Sequence, residues 1–359
     1  AWIHPDGGAV CWPASALRKI IDLLGVAAFQ RPVVSFVGQL CQSLCGLCQW
    51  PGAALRLLPL AGLYALAAKV PVGQRGDCMV FPRRLPGESA SQAAEKIHFD
   101  LDVIRAVVLA VIAHPPAGVV SMVSLLDPWE RLSVPGEAAR VSYCFSDACG
   151  LGLSYGVEAA LPGGALARFI TFVAWPPAVR AIFERVTAGD VSALEADVST
   201  PMLFMGVLEC MGPIATQTQH AALIARSLHI IFIDSQNAEG WLRKGYARNA
   251  AARHLVLRHR AKCMLDEVQP LVFYVNTVIN GFPADITSRE DWGVFEELNS
   301  TLDVPFIRVP PSAEVLALID WLPSALVCPA PGVSALIEGL SSFKLSAPPA
   351  PFLRHPEGA

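Results

Sequence analysis

No stretch constrains the fold more than Arg140–Ala160, RVSYCFSDACGLGLSYGVEAA. Val, Tyr and Phe suit a pleated, half-buried surface, and the run they form breaks at Ala148, Cys149, Gly150 and Gly152 before resuming over Leu153–Ala160. The pattern predicts a hairpin whose first strand ends in a single carboxylate, Asp147. An Asp in that place is either a turn residue, held by its own local hydrogen bonds, or a chemical one. The rest of the chain has to separate the two.

A third strand-like run, Ala167–Trp175, follows after Pro162-Gly163-Gly164, and the close spacing implies an antiparallel meander. Beyond a polar segment over 177–199 come a helical pattern at about Met202–Arg226, an apolar strand His229–Ile233 closed by Asp234, a long helical stretch Asn237–Val268, and a last strand Leu271–Val275. Three strands and then alternation predict an α/β fold: a mixed five-stranded sheet with helices on its faces. Upstream the chain reads as all-α. Ser15 caps a helix over Ala16–Phe29, Pro32 opens a second over Val33–Trp50, a third spans Ala53–Val70, and a fourth runs from about Ser91 to Ala113. Gly73–Gly87 reads as a link. The tail, Asn299–Ala359, is rich in Pro and Ala and is expected to lose order after about Phe343.

Hydrophobic residues make up 53% of the 359 and charged ones 16%, which raises the question of a membrane. The two most apolar windows answer it. Ala53–Val70 is interrupted by Arg56, Pro59 and Lys69, and Val103–Leu126 by Arg105, His114, Pro115 and Pro116. Neither supplies the roughly 20 apolar residues of a spanning helix. The N-terminal residues lack the basic-then-apolar order of a signal peptide, and several of the ten cysteines sit inside apolar runs, so an intracellular protein of cytoplasm or nucleus is expected. Cys41, Cys45 and Cys48 read as buried structural thiols. A net charge of −4 leaves any nucleic-acid signal to a local patch. One occurs: Arg243, Lys244, Arg248, Arg253, His254, Arg258, His259, Arg260 and Lys262 predict a phosphate-gripping helix face.

Asp147 and Asp234 each close a strand. If those strands are neighbours, two like charges meet at one sheet edge and repel unless a cation lies between them. Hard divalent ions with oxygen ligands meet that need, and Mg²⁺ is the usual one near phosphates. Glu209, in the apolar helix before the fourth strand, can point into the same cluster, with Glu195 as its rival, and Asp285 lies just beyond the last strand. Four acids so distributed are the donor set of a two-metal phosphodiester site.

Ser146-Asp147-Ala148 with Gly150 and Gly152, Leu208-Glu209, Ile233-Asp234-Ser235-Gln236-Asn237-Ala238 and Ala284-Asp285-Ile286-Thr287-Ser288-Arg289 stand in an order that resembles the ribonuclease H domain of reverse transcriptases, above all those of long-terminal-repeat and DIRS-type retrotransposons. The likeness covers roughly 140–292. It implies a ribonuclease H-like domain over 139–292, a thumb- or connection-like helical region over 1–135, and a C-terminal extension over 293–359. It further implies a metal-dependent endoribonuclease that cuts the RNA strand of RNA–DNA hybrids, with Asp147, Glu209, Asp234 and Asp285 holding two Mg²⁺ (or Mn²⁺) ions. Ser146, Gly150, Ser235, Gln236, Arg243, Lys244, Arg248 and Arg289 would meet the nucleic acid, Gly150 and Gly152 giving its backbone clearance. Polymerase domains of a longer precursor would be partners. This chain has no polymerase motif: His98-Phe99-Asp100-Leu101-Asp102 has the wrong spacing. Two other readings stay open, a catalytically inactive retroelement relic that binds nucleic acid or partner domains, and an integrase- or transposase-like nuclease of the same superfold.

Overall fold

The computed structural model describes residues 2–3, 9–11, 14–55, 61–71, 78–84, 87–113, 119–121, 140–161, 165–190, 200–247, 249–266, 268–276 and 281–327. They fall into two compact units, one within 1–125 and the other within 126–331. No helix among the described residues is long and apolar enough to cross a membrane.

The first unit is built on helices α1 (Ala14–Leu24), α2 (Gly38–Leu55), α3 (Ala61–Ala67) and α4 (Ala90–Ala113). Leu17, Ile20 and Leu24 form one face of α1 at helical spacing and pack with Cys41, Leu44 and Cys48 of α2, Leu63 and Leu66 of α3, and Ile97, Leu101 and Ile104 of α4. Burial pushes the Cys41, Cys45 and Cys48 thiols up to about 12, 11 and 12 and leaves them inert. The unit is not all-α as expected. Ala9–Cys11 pairs antiparallel with Trp2–Ile3 and with Val119–Ser121, and Phe36–Val37 pairs with Met79–Val80. Strands of two or three residues are too short for alternation to register. The second of these pairs also delays α2, which begins at Gly38 rather than beside Pro32.

The second unit carries strands β1 (Arg140–Ala148), β2 (Gly152–Ala160) and β3 (Leu166–Ala174), helices α5 (Pro177–Thr187) and α6 (Pro201–Gln219), strand β4 (Ser227–Ile233), helices α7 (Gln236–Lys244) and α8 (Ala250–Leu265), strand β5 (Gln269–Tyr274), helix α9 (Trp292–Asn299), strand β6 (Ile307–Arg308) and helix α10 (Ala313–Val327). The sheet order is β5-β4-β1-β2-β3-β6. β1, β2 and β3 form the antiparallel meander, β4 lies parallel to β1, and β5 parallel to β4. The mixed α/β class expected from the pattern is therefore present.

Three features differ from expectation. The predicted helix over 237–268 is two helices, because Gly245 takes a left-handed conformation (φ 69°) and ends α7. A sixth strand, β6, pairs parallel with β3. The region 293–327, expected as an extension beyond the domain, belongs to it: Val315, Leu318, Ile319 and Leu322 of α10 share the core of α6. The expected loss of order after Phe343 concerns residues outside those described, as do residues 73–77 and 85–86 of the link Gly73–Gly87.

Candidate metal centre

The parallel pairing of β1 with β4 sets Phe145 beside Phe232. Asp147 and Asp234 each stand two residues further on, so they lie level at the same end of neighbouring strands. Alternation puts Tyr143, Phe145 and Asp147 on one face and Cys144 and Ser146 on the other. Asp234 precedes Ser235, whose Oγ accepts the Ala238 N–H at 3.3 Å and caps α7. The turn from strand to helix thus fixes where Asp234 can be.

Glu209 comes from α6. Thr200 caps that helix by accepting the Leu203 N–H at 3.2 Å, Pro201 opens it, and its side chains are buried nearly continuously from Phe204 to Gln217. A helix this apolar on every side belongs inside a protein. Gly212 lets α6 lie directly on β1: a Cβ there would come within 2.3 Å of the Ser146 Cβ. One turn earlier, Glu209 reaches the strand end, where its Oε1 accepts the Ala148 N–H at 3.0 Å. Its Oε2 is buried with no hydrogen-bond partner.

Asp147, Glu209 and Asp234 each offer a carboxylate oxygen within 4.8 Å of the other two. At that separation two like charges repel by about 3 kcal/mol even at an effective dielectric of about 20. Asp147 and Glu209 are only 4% and 3% exposed. Burial, opposed by the Ser288 hydrogen bond and reinforced by the charges of Asp234 and Asp285, pushes Asp147 up to about 6. Burial, then the charges of Asp147 and Asp234, push Glu209 well above the usual carboxylate range. The three acids form a pocket of negative potential that a hard cation would relieve.

Asp285 stays outside this group of three. Its Oδ1 accepts from Arg289 Nη2 at 2.7 Å and Nε at 3.1 Å. Ser288, which had no role assigned from sequence, is buried, and its Oγ donates to Asp147 Oδ2 at 2.5 Å. Cys149 Sγ donates to the Ser288 carbonyl at 3.0 Å, and Thr287 and Ser154 hydroxyls meet behind it. The short segment 286–288 is thereby pinned to the strand ends. Its only signal in the sequence is its place beside Asp285.

Several expected nucleic-acid contacts are corrected. Ser146 is fully buried beneath Gly212, so its side chain does not face solvent. Gly150 is small because Phe183 of α5 packs on it: a Cβ would come within 2.8 Å of that ring. Gly152 is small because the Val173 carbonyl of β3 would lie 2.4 Å from a Cβ. Packing within the unit therefore accounts for the size of both glycines. Ser235 is a helix cap. Most of the predicted basic face points inward. Arg253 Nε donates to Ala247 O at 3.1 Å, and Arg260 Nη2 donates to Leu242 O and Arg243 O at 2.6 and 2.9 Å, closing the C-terminus of α7. Lys262 pairs with Asp266 at 2.7 Å, His259 meets Gln217 at 2.9 Å, and His254 lies against Trp321. Arg258 is half-buried. Gln236, Arg243, Lys244 and Arg289 are on the surface, with Arg243 paired to Glu239. Arg248 and Glu195 lie outside the described residues.

No protein-family model matches the chain, and no curated protein matches it. What can be said of its class rests on the fold and the site: a mixed α/β-sheet unit with a three-carboxylate cluster at the end of two central parallel strands, able to hold a metal ion.

Proposed function

We propose that the second unit is a metal-dependent nuclease of the ribonuclease H type, cutting the RNA strand of RNA–DNA hybrids, and that the chain derives from a retroelement reverse transcriptase. The observation that carries this reading is the convergence of Asp147, Glu209 and Asp234, with Glu209 Oε2 buried and unpartnered. A buried carboxylate oxygen with no donor, beside two further acids, fits a divalent cation better than it fits any structural role. The all-oxygen donor set suits Mg²⁺ or Mn²⁺. The antiparallel meander followed by two parallel strands, with the acids on β1, α6 and the end of β4, supports the ribonuclease H likeness drawn from the sequence.

In this reading Asp147, Glu209 and Asp234 hold the ions. Bound Mg²⁺ supplies activation of the attacking water and stabilisation of the leaving oxygen. The protein contributes orientation: the Ala148 N–H holds one Glu209 oxygen and Ser288 holds one Asp147 oxygen. Gln236, at the start of α7 just beyond Asp234, would provide a polar contact to phosphate, and Arg243 and Lys244, exposed at the other end of that helix, cationic contacts further along the strand, while the 2′-hydroxyl distinguishes the RNA strand. Purified protein is expected to cleave a hybrid only with Mg²⁺ or Mn²⁺ present, and Asp147→Asn to abolish cleavage while leaving the fold intact by circular dichroism. Folded wild-type protein that leaves hybrid uncut at every metal concentration would sink the catalytic reading.

Two observations favour a second reading. Asp285 is tied up by Arg289, and most of the basic residues of α8 are spent internally. A retroelement relic that binds hybrid or partner domains without cutting accommodates both facts. Its signature is hybrid binding without turnover, unchanged by Asp234→Asn.

A further inference from the structure

Arg289 pairs with Asp285 at the rim of the candidate site, and its side chain is 62% exposed against 18% for Asp285. Both of its contacts go to one oxygen, Asp285 Oδ1. Its backbone is held at the site rim, because the preceding residues are fastened to the strand ends by the Ser288–Asp147 and Cys149–Ser288 hydrogen bonds and by Thr287 against Ser154. A fixed root and a solvated head make a charge that can exchange partners without moving the chain. Exposed pairs of this kind contribute little to stability, so a competing cation readily displaces them.

On these grounds we infer that Arg289 is a tethered counter-ion of the acid cluster, which neutralises Asp285 until a divalent cation enters and whose freed guanidinium then takes an anionic phosphodiester. The inference rests on the cluster being a metal site. A divalent ion beside Asp147, Glu209 and Asp234 competes for Asp285 by charge and is itself repelled by the guanidinium. The released fork matches the two free oxygens of a phosphate, which a lysine at the same place would meet only as a point charge. Arg289 is thus a positioning and charge-balancing residue in the empty protein and a substrate contact in the filled one.

The test uses Mn²⁺ alone, titrated into the full chain at low ionic strength and followed by loss of the free-ion electron paramagnetic resonance signal. Arg289→Gln removes one positive charge from the rim of the cluster and is expected to bind Mn²⁺ about threefold to tenfold more tightly than wild type. Adding Asp285→Asn is expected to cancel that gain. With Mn²⁺ saturating and Asp147→Asn present to block cutting, Arg289→Gln is expected to bind a short hybrid several-fold more weakly. Equal or weaker Mn²⁺ binding by Arg289→Gln overturns the inference while leaving the metal site standing. Absence of Mn²⁺ binding by both proteins overturns the metal site and the inference with it.

Discussion

The second unit buries charge in two places and treats it in opposite ways. Around α8, Arg253, Arg260 and Lys262 are at most 8% exposed, yet their donors reach Ala247 O, Leu242 O, Arg243 O, the Tyr246 hydroxyl and Asp266. At the end of β1, Asp147 and Glu209 are just as deeply buried, but they face each other and Asp234, and Glu209 Oε2 has no partner. The first arrangement is a set of internal caps that complete the structure. The second is destabilised until something positive arrives. Burial alone does not mark a functional group. Buried charges of one sign brought against one another, with hydrogen-bonding capacity left open, mark a candidate site.

Mutations that remove buried charge should therefore have opposite signs in the two places. Arg260→Ala leaves the Arg243 carbonyl without its side-chain donor and the Leu242 carbonyl with only the Gly245 N–H, and is expected to lower the stability of the protein by about 3 kcal/mol, read from urea unfolding. A stabilising or neutral Arg260→Ala would erase the distinction.

The pH dependence of the metal-free protein comes next in size. Asp147 titrates at about 6 in the folded chain against 3.8 for the free residue. Its raised folded-state value means that the folded protein binds the extra proton between those limits, so stability falls as pH rises from about 4 to about 6. The loss attributable to Asp147 is at most about 3 kcal/mol by linkage. Glu209 shifts in the same direction and carries the slope upward. Urea midpoints across this range should show the decline in wild type, a shallower one in Asp147→Asn, and flattening on addition of Mn²⁺.

A smaller effect of the opposite sign to Arg260→Ala is expected for Glu209→Gln. The neutral amide keeps the shape and an acceptor for the Ala148 N–H while removing a buried, repelled charge, and should stabilise the metal-free protein at neutral pH by about 1–2 kcal/mol. The same change should remove the thermal shift that Mn²⁺ gives wild type. Smallest of all, Arg243→Gln on the exposed end of α7 should alter stability by no more than about 0.5 kcal/mol, since its pair with Glu239 is an adjacent-turn surface pair.

The same contrast explains what the sequence made legible. Strands β1 to β5 stood out because Val, Ile, Tyr and Phe cluster between Gly-bearing turns, and the adjacency of Asp147 and Asp234 follows once those strands pair in parallel. Glu209 was legible as an acid inside an apolar helix. The cations of α8 were misread because their spacing says nothing about which way they point; only the backbone of α7, ending at Gly245, shows that Arg260 has carbonyls to cap. Gly150 and Gly152 owe their size to Phe183 and to the Val173 carbonyl, neighbours set by tertiary packing rather than by local pattern. β6 is too short to announce itself. α10 was hidden in a Pro- and Ala-rich composition although Val315, Leu318, Ile319 and Leu322 follow helical spacing.

The central claim is that the three carboxylates are arranged for a cation. A crystal structure grown with Mn²⁺, with an anomalous difference map at the manganese edge, tests it most directly. The account requires a peak bounded by Asp147, Glu209 and Asp234, with Glu209 Oε2 among its ligands. A map without that peak, the three carboxyl groups sharing protons and hydrogen-bonding one another instead, would contradict it.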